Sequence, residues 1–165
     1  MKIARSLILT AALTLAAAST CSAASGPYPS PSLARQEIAA ALRTAAAAHK
    51  RILLDFGGNW CPDCIALDQY FHNPSNLPIL QPNFVLVFIN VGQLDQNVSL
   101  AAHYGIPLSK GVPALAVLSS RGKLLYSQKD GQFNEMASMQ SSAVTQFLIR
   151  WKPVRPGCSE VMLSC

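Results

Sequence analysis

The sequence predicts an α/β domain with a central mixed sheet of about four strands flanked by helices. A chain of 165 residues that is 50% hydrophobic is long enough for one well-formed core and short for two. Apolar runs of strand length alternate with helical segments, and the last two runs are separated only by a tight turn. Helices between strands favour a parallel core, and the final hairpin adds an antiparallel edge.

Residues 1–24 have the pattern of an export signal peptide. Lys2 and Arg5 precede an apolar run over 6–18, and small residues at 22–24 offer a cleavage site. This run is shorter than the roughly 20 residues that a membrane-spanning helix needs. We therefore expect an exported mature protein without a transmembrane segment, with the periplasm as its location. Secretion, or a lipid anchor at Cys21, is the alternative.

Residues 25–31 are rich in Pro, Ser and Gly, which predicts a linker before a domain over 32–152 and a tail over 153–165. The first helix is predicted over 33–49, where Ala is abundant and apolar side chains share one face. The next run, 52–56, is apolar except for Asp55 and is bounded by basic residues and two glycines, as in a strand buried on both faces.

A second helix is predicted over 62–72, because Pro62 suits the first turn of a helix and apolar residues continue from it. A connection rich in Pro and Asn leads to a strand over 84–91, whose β-branched and aromatic content suggests a central position. The remaining elements are a short helix over 97–104, strands over 114–118 and 124–127, and an amphipathic helix over 136–151.

The charge pattern argues against a nucleic-acid partner. The formal net charge of +5 falls to +3 when Lys2 and Arg5 are removed with the signal peptide. The remaining charges are scattered, without a basic run interleaved with aromatic residues. They are expected to form an ordinary solvated surface.

Cys61 and Cys64, with two residues between them, lie at the start of the second predicted helix. A structural zinc site needs four ligands, and the remaining Cys and His residues are poorly spaced to supply the other two. A structural disulfide is a better alternative, but so small a loop removes little chain entropy. A helix N-terminus stabilises a thiolate, so reactivity is the stronger reason for the pair.

Asp55 lies six residues before Cys61 in an otherwise apolar strand. Burial would raise its pKa and allow it to accept the proton of Cys64 when that thiol resolves a mixed disulfide. The alternative is an acid at a strand end that faces water.

The segment ILLDFGGNWCPDC, residues 52–64, resembles the active-site segment of thioredoxins. Residues 94–106 and the sequence Gly111-Val112-Pro113 resemble two further thioredoxin segments in the same order, and the likeness covers about residues 33–151. The insertion after the active-site helix resembles exported proteins of the thiol:disulfide interchange type. The resemblance implies a thioredoxin-like fold and dithiol chemistry without a metal or organic cofactor.

The resemblance also assigns roles to individual residues. It implies that Cys61 attacks, Cys64 resolves, Asp55 assists proton transfer and Pro113 is a cis-proline opposite the cysteines. The residues implied in substrate binding are Trp60, Pro62, Asp63, Gly111, Val112 and Pro113. Gly57 and Ile89 stand where thioredoxins have a Trp and a Lys, and the missing Lys deprives Asp55 of its usual charge partner.

Asp63 places a negative charge between the cysteines, which disfavours the Cys61 thiolate and predicts a reducing pair. We therefore expect a thiol-disulfide oxidoreductase that reduces disulfides of protein substrates and takes electrons from a donor protein that the sequence does not identify. A disulfide oxidant or isomerase, and a non-catalytic thioredoxin-fold binding module, are the alternatives.

Cys158 and Cys165 lie beyond the last predicted helix and can close a small loop. Export to an oxidising compartment would allow them to form a structural disulfide that restrains the C-terminus. A second redox pair that relays electrons is the alternative.

Overall fold

A computed structural model describes residues 26–136, 138–140 and 142–154 of the chain. The expected signal peptide and the expected Cys158–Cys165 disulfide lie outside these residues. Within them, no helix combines the length and the apolar character that crossing a membrane requires.

A sheet of four strands forms the centre of the domain, in the order β2-β1-β3-β4. The strands are β1 (Arg51–Gly57), β2 (Phe84–Asn90), β3 (Ala114–Leu118) and β4 (Leu124–Ser127). The prediction that β2 is central was wrong, because β1 has a neighbour on each side and β2 lies at the edge. The apolar content of β2 reflects the helices that cover it rather than the number of strands beside it.

The expected parallel core is reduced to one pair of strands. β1 pairs with β2 in parallel, but β3 pairs with β1 in the antiparallel direction and β4 pairs antiparallel with β3. The register shows where the chain enters β3: Asn90, the last residue of β2, pairs with Gly57, and Ala114, the first residue of β3, pairs with Phe56. The chain therefore enters β3 near the end of the sheet where β2 stops, instead of returning to the other end.

Helices cover both faces of the sheet. One core cluster joins α1 (Ala34–Ala48) and α4 (Val98–His103) to the face that carries Ile52, Leu54 and Phe56. The other joins α2 (Pro62–Phe71), α3 (Leu77–Asn83) and α5 (Ser142–Trp151) to the face that carries Leu53. Because side chains alternate along a strand, Asp55 and Gly57 share the face of Leu53. The chain thereby directs Asp55 toward the layer that contains α2.

Two helical boundaries differ from the prediction. The predicted connection after α2 contains α3. Pro78 occupies its first turn, where a proline is tolerated, whereas Pro82 lies inside the helix and cannot donate a backbone hydrogen bond there. The last helix begins at Ser142 rather than Met136. Met136 is fully buried from a turn, so its apolar character reflects packing rather than helical periodicity.

The segment expected to be a linker is part of the folded domain. Tyr28 is fully buried, and its ring packs edge-to-face against Phe88 of β2 with centroids 5.2 Å apart. Asparagine amides hold the backbone that follows Tyr28: Asn90 donates to the carbonyl of Pro29 at 2.8 Å, and Asn97 donates to that of Pro31 at 2.9 Å. The ordered domain therefore begins before residue 32.

Candidate active site

Cys61 and Cys64 are joined by a disulfide at the N-terminus of α2. Cys61 is the N-cap residue, and its sulfur accepts a hydrogen bond from the Cys64 N–H at 3.2 Å. Cys61 is 4% exposed and Cys64 is fully buried. The N–H group and the helix dipole both favour a thiolate at Cys61 after reduction. Of the two cysteines, only Cys61 has any surface exposed to solvent.

The loop before β3 faces Cys61. The Val112 carbonyl oxygen lies 3.6 Å from Cys61 Sγ. The Val112–Pro113 peptide bond is cis, as the resemblance implies, and Gly111 has a φ of 94°, a conformation that favours glycine. The tertiary structure thus brings residues 111–113 against the cysteine pair, about fifty positions away in sequence.

The surface around Cys61 includes an exposed aromatic side chain. Trp60 is 45% exposed, and its indole N–H donates to the carbonyl of Gly92. Pro62 is exposed and Asp63 is half-buried in the first turn of α2. The predicted substrate-binding residues therefore lie in two groups, residues 60–63 in and beside the Cys-x-x-Cys segment and residues 111–113 in the facing loop.

Asp55 is fully buried, which rules out the alternative that it faces water. Its burial raises the pKa of the carboxyl group from 3.8 to about 8. The nearby Tyr28 hydroxyl lowers this pKa and the charge of Asp68 raises it. An acid with a pKa near neutrality can both accept and return a proton at physiological pH.

Gly57 makes room for two reactive groups. A Cβ at this position would lie 2.5 Å from the Tyr28 hydroxyl oxygen and 2.8 Å from Cys64 Sγ. Both distances are too short for a methyl group. The glycine that stands in place of the thioredoxin Trp therefore lets Tyr28 and Cys64 approach the same point on the face that also carries Asp55.

Ile89, in place of the thioredoxin Lys, is fully buried and belongs to the core cluster on the α1 face. The side chains that shift the pKa of Asp55 are Tyr28 and Asp68, and neither is a cation. Asp55 therefore lacks the positively charged partner that the thioredoxin Lys supplies, and the neutral hydroxyl group of Tyr28 lies near its carboxyl group.

Three residues near the cysteine pair were not predicted from the sequence: Tyr28, Asn59 and Asp68. Tyr28 lies in a segment with the composition of a linker, where a lone aromatic residue between prolines was the available signal. Asn59 fixes Tyr28 by hydrogen bonds to its backbone N–H and carbonyl groups. Asp68 follows Cys64 by four positions, a spacing that places both on one face of α2.

Comparisons with known proteins identify the family and the fold. A family model described as thioredoxin-like matches residues 34–120. A disulphide isomerase from Xylella fastidiosa Temecula1 is 35% identical with a TM-score of 0.72, over 78% of this chain and 98% of that structure. A thioredoxin from Thermus thermophilus is 20% identical with a TM-score of 0.50, over 74% of this chain and 83% of that structure. No curated protein matches the chain significantly.

The family match spans more than half of the chain and includes the cysteine pair and the facing cis-proline loop. The chain belongs to the thioredoxin-like family and is a thiol-disulfide oxidoreductase.

Proposed function

We propose that this protein reduces disulfide bonds of exported protein substrates, with the periplasm as its site of action. The observation that carries the proposal is the placement of Cys61 at the N-terminus of a ten-residue helix, with its sulfur 3.6 Å from the Val112 carbonyl oxygen of the facing loop. The signal-peptide pattern of residues 1–24 supports export.

The reaction begins with the reduced pair. The Cys61 thiolate attacks one sulfur of a substrate disulfide, and the other substrate sulfur leaves as a thiolate. Cys64 then loses its proton to Asp55 and attacks Cys61 Sγ, which releases the second substrate thiolate and forms the Cys61–Cys64 disulfide. The protein loses two electrons and the substrate gains them. A donor dithiol must then reduce the pair for another cycle.

Substrate binding is assigned to the surface that surrounds Cys61. The Val112 backbone can pair with an extended substrate chain, and Trp60 and Gly111 extend an apolar rim on either side of the sulfur. Pro62 and Asp63 complete the surface at the start of α2. The 45% exposure of Trp60 favours a contact with a partner over a purely internal packing role.

The direction of electron flow depends on how strongly the Cys61 thiolate is stabilised. Asp63 lies in the first turn of α2, where its charge disfavours a thiolate at Cys61 and so favours a reducing potential. We expect a potential near that of thioredoxin, about −270 mV, rather than the roughly −120 mV of a strong disulfide oxidant.

A titration of the full chain against defined ratios of reduced and oxidised dithiothreitol tests this direction, with Cys21, Cys158 and Cys165 changed to Ser in every sample. A potential near that of thioredoxin supports a reductase. A value near that of a strong oxidant contradicts it, and a pair that never cycles contradicts any catalytic role.

The second candidate function is disulfide isomerisation, which is favoured by the 35% identity to a structure described as a disulphide isomerase. Isomerisation also begins with attack by a reduced Cys61, but the substrate resolves the mixed disulfide before Cys64 does. A potential near about −180 mV favours this function. Recovery of activity from a disulfide-scrambled substrate, without net gain of substrate thiols, is the matching assay.

A further inference from the structure

The N-terminal segment of the domain delivers a buried hydroxyl group to the resolving half of the active site. Tyr28 is fully buried, and its hydroxyl oxygen and Cys64 Sγ both lie less than 3 Å from the position that a Cβ on Gly57 would occupy. Asp55 points from the same face of β1, two residues earlier. The hydroxyl, the carboxyl and the thiol therefore belong to one buried group.

The polar atoms of this group are left without ordinary partners. Tyr28 Oη and both carboxyl oxygens of Asp55 are buried and make no hydrogen bond that meets the usual distance and angle criteria. The hydroxyl is still close enough to the carboxyl group to lower the pKa of Asp55. Buried polar atoms without partners cost stability, so their retention calls for an explanation. A proton that moves among them is one such explanation.

The other neighbours of Asp55 offer little help to an ionised carboxylate. Its partners across the sheet are Phe88 in β2 and Leu115 in β3, both apolar. From α2, Asp68 adds a negative charge that raises the pKa of Asp55. Of the groups that shift this pKa, the Tyr28 hydroxyl alone favours the charged form.

We propose that Tyr28 is a positioning residue for the resolving step, in which its hydroxyl donates a hydrogen bond to the Asp55 carboxylate and keeps it ready to accept the proton of Cys64. Cys64 S–H gives its proton to Asp55, and the resulting thiolate displaces the substrate sulfur from Cys61. Asp55 later returns the proton to solvent. This inference rests on the proposed dithiol reaction, but not on its physiological direction.

The test separates attack from resolution in the reduced full chain, with Cys21, Cys158 and Cys165 changed to Ser. One equivalent of dithiodipyridine releases one coloured thiopyridone when Cys61 attacks and a second when Cys64 resolves. Stopped-flow absorbance from about pH 5 to about pH 10 gives a pH profile for each phase around the expected Asp55 titration. The variants are Tyr28→Phe, which removes only the hydroxyl, and Tyr126→Phe, whose hydroxyl bonds to Gln132 at 2.9 Å.

Tyr28→Phe should leave the first phase unchanged and slow the second about tenfold near pH 7, because the inflection of its pH profile moves up by about one unit. Tyr126→Phe should match the parent in both phases. A Tyr28→Phe protein with the parent's second-phase profile would overturn the role of Tyr28 and leave the proposed function standing. A parent that releases no thiopyridone would overturn both.

A second measurement follows the Asp55 carboxyl group itself, independently of the exchange kinetics, and checks the fold of the variant in the same sample. The carboxyl carbon of Asp55, followed by NMR in the parent and in Tyr28→Phe, reports the titration of this group directly. The inference requires a higher pKa in the variant. An equal or lower pKa in a variant with the parent's amide spectrum would overturn it, since loss of packing alone does not mimic loss of a donor.

Discussion

Asn59 and the backbone of Tyr28 form two reciprocal hydrogen bonds. The Tyr28 N–H donates to Asn59 Oδ1 at 3.0 Å, and the Asn59 amide donates to the Tyr28 carbonyl oxygen at 2.8 Å. Because Asn59 stands two residues before Cys61, this pair of bonds joins the N-terminal segment to the active-site loop. A segment with the composition of a linker thus packs against the active-site loop.

Replacement of Asn59 by Ala should cost about 1–3 kcal/mol of unfolding free energy, because it removes both hydrogen bonds and leaves part-buried backbone groups unpaired. Urea unfolding measures this cost. The matched control is Asn73→Ala, which removes one exposed bond to the Ser75 N–H and should cost less than about 1 kcal/mol. Equal costs for the two variants would mean that the clamp contributes little to stability.

Replacement of Asp55 by Asn should change how stability depends on pH. The pKa of Asp55 is about 8 in the folded protein against 3.8 for the ordinary group, so the folded protein holds a proton that the unfolded chain has lost. This residue's contribution to stability therefore falls as pH rises through that interval. At pH values above 8, the free energy of unfolding of the Asn variant should be higher than that of the parent by on the order of 2–5 kcal/mol.

Urea titrations at a series of pH values measure this difference. The unfolding free energies of the two proteins should converge at pH values below the ordinary Asp pKa. Asp130, an exposed loop residue, supplies the control, since Asp130→Asn should leave the curve of the parent unchanged. A parent whose advantage over Asp55→Asn grows with pH would show that the buried carboxyl has the opposite shift.

Replacement of Gly57 by Ala should cost about 1–3 kcal/mol, because the new methyl group overlaps two fully buried neighbours that have no free space to move into. Gly58→Ala is the matched control: its methyl group meets the indole of Trp60, which is 45% exposed and can rotate away. Thermal unfolding of both variants decides the matter. A larger loss for Gly58→Ala would contradict the packing described here.

Replacement of Cys64 by Ser should trap a substrate as a mixed disulfide with Cys61, because attack is retained and resolution is lost. Cys61→Ser should trap none, since Cys64 is fully buried. Intact mass measured without reductant, in chains with Cys21, Cys158 and Cys165 changed to Ser, detects the adduct, and reductant should release it. An adduct on Cys61→Ser would reverse the assigned order of the two cysteines.

Replacement of Trp60 by Ala should raise KM for a protein disulfide severalfold, since an exposed aromatic side chain at an interface contributes about 1–2 kcal/mol to binding. The rate with a small disulfide should stay close to that of the parent. Ile149→Ala removes an apolar side chain that is 51% exposed on α5. This control should change neither KM for the protein disulfide nor the rate with the small disulfide. Equal losses with both substrates would mean that Trp60 shapes the cysteine pair rather than docking the partner.

Local pattern was enough to find the reactive centre. Pro62 after Cys61 predicts a helix that begins at the cysteines, and an acid within an apolar strand predicts a buried Asp55; both predictions are confirmed. The central position of β2 and the direction of β3 could not be found in this way. Strand order and direction depend on how far the connections reach, and apolar content reports only burial.

The sequence by itself determined the chemistry of this protein, because a Cys-x-x-Cys pair at a helix start, a buried acid and a Gly-Val-Pro loop restrict the reaction to thiol-disulfide exchange. Only the tertiary structure decided what surrounds the acid. Tyr28 lies 27 positions before Asp55 in a segment without helical or strand periodicity. A glycine is needed at position 57 because the Tyr28 hydroxyl and Cys64 Sγ occupy the space that a side chain would fill. Contacts between such distant residues arise from packing, which no local pattern encodes.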